Sequence, residues 1–433
     1  MSALLALPFA LPLALLQAAD PQRPIGTGGY VLAAAIKMVI VFTVYMVVVA
    51  LLTLAERKIA AWIQDRRGPN RAGPGGILQP AADGLKNFMK EEHEPGGAYT
   101  PIFRIAPALA FIPALIAWAV IPFAAPLPTP WGLVDMVVAD LPIGYLYVVA
   151  ISSLGAYGIT LAGWSSNNKY SLLGGLRASA QLVSYEIALG MSIIPVLLLT
   201  GNVSLNAIVQ HQALGVWNVV SLTLAWFVFV VAAFAETNRL PFDMPEAESE
   251  LVAGYHTEYS SMKFSMFFIA EYAAMVTMSA LMATLFLGGW DLPFTTWDNV
   301  PPWSIAKTLV TLLAFGVKVG LFVFTYMWIR WTLPRFRYDQ LMALGWRVLL
   351  PLMLAYIVVV AGAVLALEAM GIRAGWRFGL AMFVLNVVIL ALVFGVLDRG
   401  RVMSPSGTRL SDEELAQLRQ TGARNRVSTV MGD

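Results

Sequence analysis

The sequence predicts an all-α fold: a polytopic transmembrane helical bundle of about 8–9 spans, with one amphipathic helix at the cytoplasmic surface. Three observations lead there. Of the 433 residues, 58% are hydrophobic and 12% are charged, against about 25% charged in an ordinary soluble domain. The apolar residues gather in blocks near the ~20 residues a helix needs to cross a bilayer. The linking loops alternate between basic and free of Lys and Arg, as the positive-inside rule requires of a multi-pass chain.

The blocks fall near 29–54, 102–123, 141–163, 180–200, 216–235, 265–288, 304–329, 348–368 and 376–397. Lipid offers no partner to a bare N–H or C=O, so each block is expected to be helical. Eight spans result if one of the last two lies at the interface. The first loop carries Arg57, Lys58, Arg66, Arg67, Arg71, Lys86 and Lys90, and the third carries Lys169 and Arg177. The fifth carries Arg239 and Lys263, and the seventh Arg330, Arg335, Arg337 and Arg347. The second, fourth and sixth loops have no Lys or Arg and read as plain connectors; the eighth, with Arg373 and Arg377, departs mildly. Odd loops are therefore expected in the cytoplasm and the N-terminus in the periplasm.

Three regions follow. Residues 1–28 form a periplasmic or interfacial extension, because MSALLALPFALPLALLQAA lacks the basic start of a signal peptide and is short for a span. Residues 29–398 form the transmembrane domain, and 399–433 a cytoplasmic tail. In the tail, Ser411 and Glu414 make a capping-box pattern before a short helix.

The chain has no cysteine, which excludes disulfides, thiolate metal sites and cysteine-held iron–sulfur clusters. Its three histidines, His93, His211 and His256, are not paired at ligand spacing. GPNRAGPGG lacks the G-x-x-x-x-G-K-[ST] pattern of a phosphate cradle. No metal and no nucleic-acid partner is expected.

Ionisable groups within spans are costly and mark function by default. Glu236 ends the fifth block. Counted along the helices from the cytoplasmic side, Glu186 lies roughly 10 Å deep, Glu271 roughly 12 Å and Lys318 roughly 18 Å. They are expected to form one interior polar file, since carboxylates in a low dielectric exchange protons near neutral pH. Lys37 and Lys307, near the outer span ends, read as structural residues that snorkel.

In the first loop, ILQPAADGLKNFMK places Ile77, Leu78, Ala81, Leu85 and Phe88 on one helical face, the pattern of a helix lying on a membrane. The fifth loop, ETNRLPFDMPEAESE, holds five carboxylates: Glu236, Asp243, Glu246, Glu248 and Glu250. Leu240, Phe242 and Met244 are interleaved with them, which suits a wall facing a greasy ligand. Arg330, Arg335, Arg337, Tyr338 and Asp339 make a basic patch in the seventh loop, read equally as an orientation signal or as a dock for an acidic partner.

The stretches AERK, DRRGPNRAGPGGILQPAADGLK, SYEIALG, AETNRLPFDMPEAESELVAGYHTEYSS, FFIAEYA and LPRFRYDQLM carry a resemblance, running from about Leu54 to Leu349. The chain resembles the H subunit of NADH-quinone oxidoreductase (respiratory complex I), the family of mitochondrial NADH dehydrogenase subunit 1. The resemblance implies a proton-pumping, multi-subunit oxidoreductase of the bacterial inner membrane. This chain would have no redox centre and no catalytic residue of its own, while FMN and iron–sulfur clusters would belong to partner subunits. Quinone would be the substrate, held in a chamber shared with hydrogenase-like soluble subunits and reached from the lipid bilayer. By resemblance, Arg57, Arg66, Asp83, Arg239, Phe242, Asp243, Glu246 and Glu248 line or support that chamber. Glu186, Glu236 and Glu271 would form a proton path toward antiporter-like membrane subunits, with Lys318 added from its depth. The rival readings are a membrane component of an energy-converting hydrogenase, a cation/proton antiporter acting alone, and an inert anchor. Which quinone is used is not legible.

Overall fold

The computed structural model describes residues 27–397 except 131, 246–247, 294 and 373–374, together with 416–417. Residues 1–26 of the N-terminal extension, the capping-box pattern of the tail and Glu246 lie outside the described residues, and residues 27–28 belong to the first helix. The first block forms one helix, α1 (Thr27–Ile63), which runs on past residue 54. AERKIAAWI contains neither Gly nor Pro, so nothing stops the helix there. Glu56, Arg57 and Lys58 are therefore helical residues, where the sequence pattern suggested a loop.

The expected amphipathic helix is α2 (Gln79–Met89), with a proline in its first turn. Leu85, Phe88 and Met89 are exposed on it, as are Ile77 and Leu78 just before it. Next come α3 (Thr100–Ile116), which tightens into a 3-10 turn at Ala117–Val120, and α4 (Gly144–Ser165). The helix α5 (Lys169–Thr200) begins well before the predicted block, because the Asn168 side chain caps it by accepting from Tyr170 N at 2.9 Å. It stops at Gly201, whose φ of 65° suits glycine at a helix end.

After α6 (Leu205–Leu214) the fifth block is broken. A single turn, Asn218–Ser221, is separated by Leu222 (φ −134°, ψ 46°) from α7 (Thr223–Glu236). With 14 residues, α7 spans about 21 Å, short of the ~30 Å hydrocarbon thickness. The chain continues through α8 (Ser261–Phe286), α9 (Ile305–Thr332), α10 (Tyr338–Ala343) with a π turn at Leu344–Leu349, α11 (Leu350–Ala369) and α12 (Trp376–Leu397). Among the described residues, 8 helices are long and apolar enough to cross a membrane, by length and composition. Residues Tyr338–Ala369 count as one of them, and α12 is another. The short element is thus α7 and neither of the last two blocks.

The centre of the bundle is α8, buried without a gap from Met275 to Phe286. Tyr45 of α1 ties to it, donating to Ala273 O at 2.6 Å and pairing with Thr277 Oγ1 at 2.8 Å. The second loop is more than a connector. It forms an antiparallel hairpin, β1 (Ala124–Thr129) and β2 (Gly132–Met136), in register Thr129↔Gly132 to Ala124↔Met136. Side chains of the spans dock it: Thr311 Oγ1 accepts from Ala125 N at 3.0 Å, and Thr308 donates to Pro126 O at 2.9 Å. Lys37 donates to Asp135 O and Val137 O. The structural reading of Lys37 thus acquires specific partners.

The loops of the opposite end are knitted together. Ser261 Oγ donates to Asn87 O (2.8 Å) and Lys90 O (2.9 Å), joining α8 to the first loop. Tyr99 N donates to Ser165 O at 2.9 Å, and Phe336 N to Pro241 O at 3.1 Å. The first, third, fifth and seventh loops therefore meet at one end of the bundle.

Candidate functional site

Where α1, α7, α8 and α9 converge, the chain buries a charged cluster. Arg239 is 2% exposed and Glu56 4% exposed. Arg239 Nη1 lies 3.3 Å from each Glu56 oxygen. Arg330 and the Tyr272 hydroxyl also donate to Glu56. Arg239 Nε lies 2.6 Å from Glu271 Oε1, an ion contact set off the line of a hydrogen bond. The guanidinium stacks 4.3 Å from the centre of the Tyr272 ring. Two arginines and two glutamates thus offset one another's charge, as buried ions require.

A partly open cavity of about 100 Å³ adjoins this cluster. Its walls come mainly from α3, α4 and α8 and are mostly small or apolar: Ala110, Pro113, Gly155, Ala156, Ala270 and Ala274 among them. Glu236 and Glu271 are the carboxylates that line it. Glu236 Oε2 is buried with no hydrogen-bond partner among the described residues. Glu186 accepts from Ser153 of α4 and lies near enough to Glu236 to act on it electrostatically. Asp243 stands in the same relation to Glu271. Glu186, Glu236 and Glu271 of the expected file therefore share one region.

The fourth member does not. Lys318 Nζ donates to Leu287 O, Gly289 O and Asp291 O at 2.6, 2.9 and 2.6 Å, and lies 4.2 Å from the Trp217 ring centre. Its electrostatic partners are Asp291 and Asp298. The chain after α8 turns inward and brings its carbonyls to the lysine, which depth counting along α9 could not foresee.

The expected chamber residues divide. Arg57 and Asp83 form a surface pair at 2.7 Å, joining α1 to α2. Arg66 is exposed, its Nε bonded to Gln64 Oε1 at 2.7 Å. Phe242 is buried between Tyr185 and Phe336, with ring centres 6.0 and 5.6 Å away, so it packs the loop rather than facing the cavity. Glu248 opens a helical turn, Glu248–Leu251. The turn from α7 is held by Gln181 Nε2, which donates to Ala235 O (2.7 Å), Asn238 Oδ1 (3.1 Å) and Phe242 O (2.8 Å). Arg177 of α5 pairs with Glu250 at 2.7 Å.

Sequence reasoning missed Glu56 and Gln181. The signal for Glu56 was present: a carboxylate in LTLAERKIAAWI with apolar residues continuing beyond it. Gln181, an uncharged side chain, gave none. At the loop end, hydrogen bonds from Arg104 and then Lys263 hold the Glu94 carboxyl down at about 2. Burial lowers the His256 imidazole to about 4. Among the described residues no group of three or more His, Asp or Glu is arranged to hold a metal ion.

Comparison with known proteins gives the family. Residues 36–361 match the family described as NADH dehydrogenase. The chain is 46% identical over 336 residues to an H subunit of NADH-quinone oxidoreductase from Cytophaga hutchinsonii, covering 78% of this chain and 98% of that protein. It is 50% identical over 331 residues to the H subunit from Leptospira biflexa (74% and 92% covered), and 50% identical over 316 residues to the H subunit from Rhodospirillum rubrum (72% and 88% covered). The chain belongs to the NADH dehydrogenase family, among the H subunits of NADH-quinone oxidoreductase.

Proposed function

We propose that this chain is the membrane component of a proton-pumping NADH:quinone oxidoreductase that forms the floor of the quinone chamber and couples quinone reduction to proton movement. The observation that carries the reading is the cavity lined by Glu236 and Glu271, with Glu186 beside it and the Glu56–Arg239–Arg330 cluster at its border. A mostly apolar cavity admits few waters of its own, so its carboxylates are the groups able to carry protons through it. Quinone would reach the chamber from the bilayer between α1 and α2, whose exposed Leu85, Phe88 and Met89 suit contact with lipid. Arg57, Arg66 and Asp83, exposed or partly exposed at the loop end, would face the chamber from this side and the soluble subunits from the other. FMN and iron–sulfur clusters would reside in those partners, because the chain has no cysteine to hold a cluster. The loop end would face the cytoplasm of a bacterium and the hairpin end the periplasm. Antiporter-like membrane subunits would receive the protons.

The test replaces Asp243→Asn, Glu271→Gln and Glu186→Gln one at a time in the assembled complex. NADH:quinone turnover and proton pumping are measured in vesicles. Glu271→Gln and Glu186→Gln are expected to lower pumping, and Asp243→Asn to lower turnover. Normal turnover and pumping in all three would leave the chain an anchor.

A further inference from the structure

The end of the bundle that carries the hairpin is built shut. After α8, carbonyls that the helix leaves without an intrahelical partner are met by side chains. Gln212 Nε2 donates to Thr284 O at 2.9 Å, and Asn218 Nδ2 to Leu285 O at 2.8 Å. Lys318 then takes Leu287 O, Gly289 O and Asp291 O. Three N–H groups meeting three carbonyls is the complement of an ammonium ion. Asp291 is fixed from its other side by Trp217 Nε1 at 2.7 Å and Asn299 Nδ2 at 2.5 Å. Between the cavity-lining Met278 and this array α8 is buried throughout, Leu281, Ala283, Leu285 and Phe286 being at most 1% exposed, and Phe229 of α7 packs on Phe286 with ring centres 5.4 Å apart.

A fixed cation among oriented carbonyls repels protons and other cations, as in pores that exclude them electrostatically. We infer that Lys318 is the electrostatic seal that keeps protons on Glu186, Glu236 and Glu271 from crossing to the hairpin side through this chain. The inference rests on the proton-path reading above. It adds that the route must leave sideways or return, because the straight route outward meets a fully buried, closely packed layer and then a fixed positive charge. Lys318 is thus a positioning and insulating residue that does not itself carry the proton.

Passive proton permeability of vesicles holding the intact complex, driven by an imposed potential without NADH, tests this. Lys318→Met is expected to raise the leak several-fold at unchanged NADH:quinone turnover, and Lys318→Arg to stay close to wild type. Adding Glu271→Gln to Lys318→Met is expected to suppress the leak. A Lys318→Met complex as tight as wild type overturns the inference. So does a leak that Glu271→Gln leaves unchanged, since those protons bypass the carboxylates. Where Lys318→Met does not assemble, Lys318→Gln, which loses the charge and keeps two N–H donors, is measured with the same outcomes. The proton-path reading fails separately, through normal pumping in Glu271→Gln and Glu186→Gln alone.

Discussion

Arg239 and Glu56 lie face to face inside the bundle, with one guanidinium nitrogen 3.3 Å from both carboxylate oxygens. The contact joins residues 183 positions apart in the chain. It brings the end of α1 against the turn that follows α7. Because Arg330 of α9 and the Tyr272 hydroxyl of α8 share the same carboxylate, one acidic side chain holds four segments together.

Removing that carboxylate leaves two arginines without their shared counter-ion. Loss of one partner from a buried ion pair costs about 3–5 kcal/mol. Glu56→Ala is therefore expected to lower the unfolding temperature of the detergent-solubilised protein markedly, and Glu56→Gln less so. Thermal denaturation of the variants side by side checks this; equal stability of Glu56→Ala and wild type would remove the cluster from the account of the fold.

Asn386 of α12 fills the break in the fifth block. Its Oδ1 accepts from Leu224 N at 3.3 Å and from the Tyr356 hydroxyl at 2.8 Å, and its Nδ2 donates to Ser221 O at 2.8 Å. Asn386→Leu keeps the approximate volume and strands those groups, each at a cost of about 1–3 kcal/mol. Faster hydrogen exchange at Leu222–Ala225 is the expected local signature. Protection unchanged from wild type would show that α12 is dispensable to α7.

Two loop groups at the same end both lose their stabilising effect on acidification, in successive pH windows. The Glu94 carboxyl, held at about 2 by Arg104 and Lys263, lies below its ordinary 4.5. Its stabilising effect is complete above about 4.5 and is lost as pH falls toward about 2. The stability gap between wild type and Glu94→Gln should close over that range. His256, lowered by burial from 6.5 to about 4, leaves the unfolded chain binding a proton that the folded chain refuses. Stability should decline as pH drops from about 6.5 to about 4 and then level off. Denaturation midpoints of His256→Leu against pH should lack that slope.

Gly174 marks where α5 touches the fifth loop. A Cβ there would stand 2.6 Å from Tyr255 N and 2.7 Å from Gly254 Cα. Backbone cannot yield as a side-chain tip can, so Gly174→Ala should destabilise by about 1–3 kcal/mol through overpacking. Proteolysis within residues 246–256 should accelerate. An unchanged cleavage rate would mean that the loop holds its place without this contact.

The spans were legible because lipid permits one solution to an apolar block, and the charges of ETNRLPFD and FFIAEYA stood out against it. Three things were hidden. The extension of α1 depended on the absence of a helix stop, so Glu56 passed for a loop residue although its helix runs on to Ile63. The break at Leu222 has no proline to announce it; it exists because Asn386, distant in sequence, supplies the missing partners. Lys318 was assigned by depth alone, and depth does not say which way a side chain turns. The last two misses concern partners supplied by tertiary structure; the first concerned a helix stop that the local sequence does not contain.

The fastening of α7 has a mechanical consequence. Its upper end is clamped by Asn386 and its lower end by Gln181, through Ala235 O and Phe242 O. A short rod pinned at both ends transmits thrust and cannot slide to absorb it. Glu236, the last residue of that rod, is therefore a fixed datum: a displacement of the turn at Phe242 is passed along α7 as a whole and does not change where the rim carboxylate sits on it.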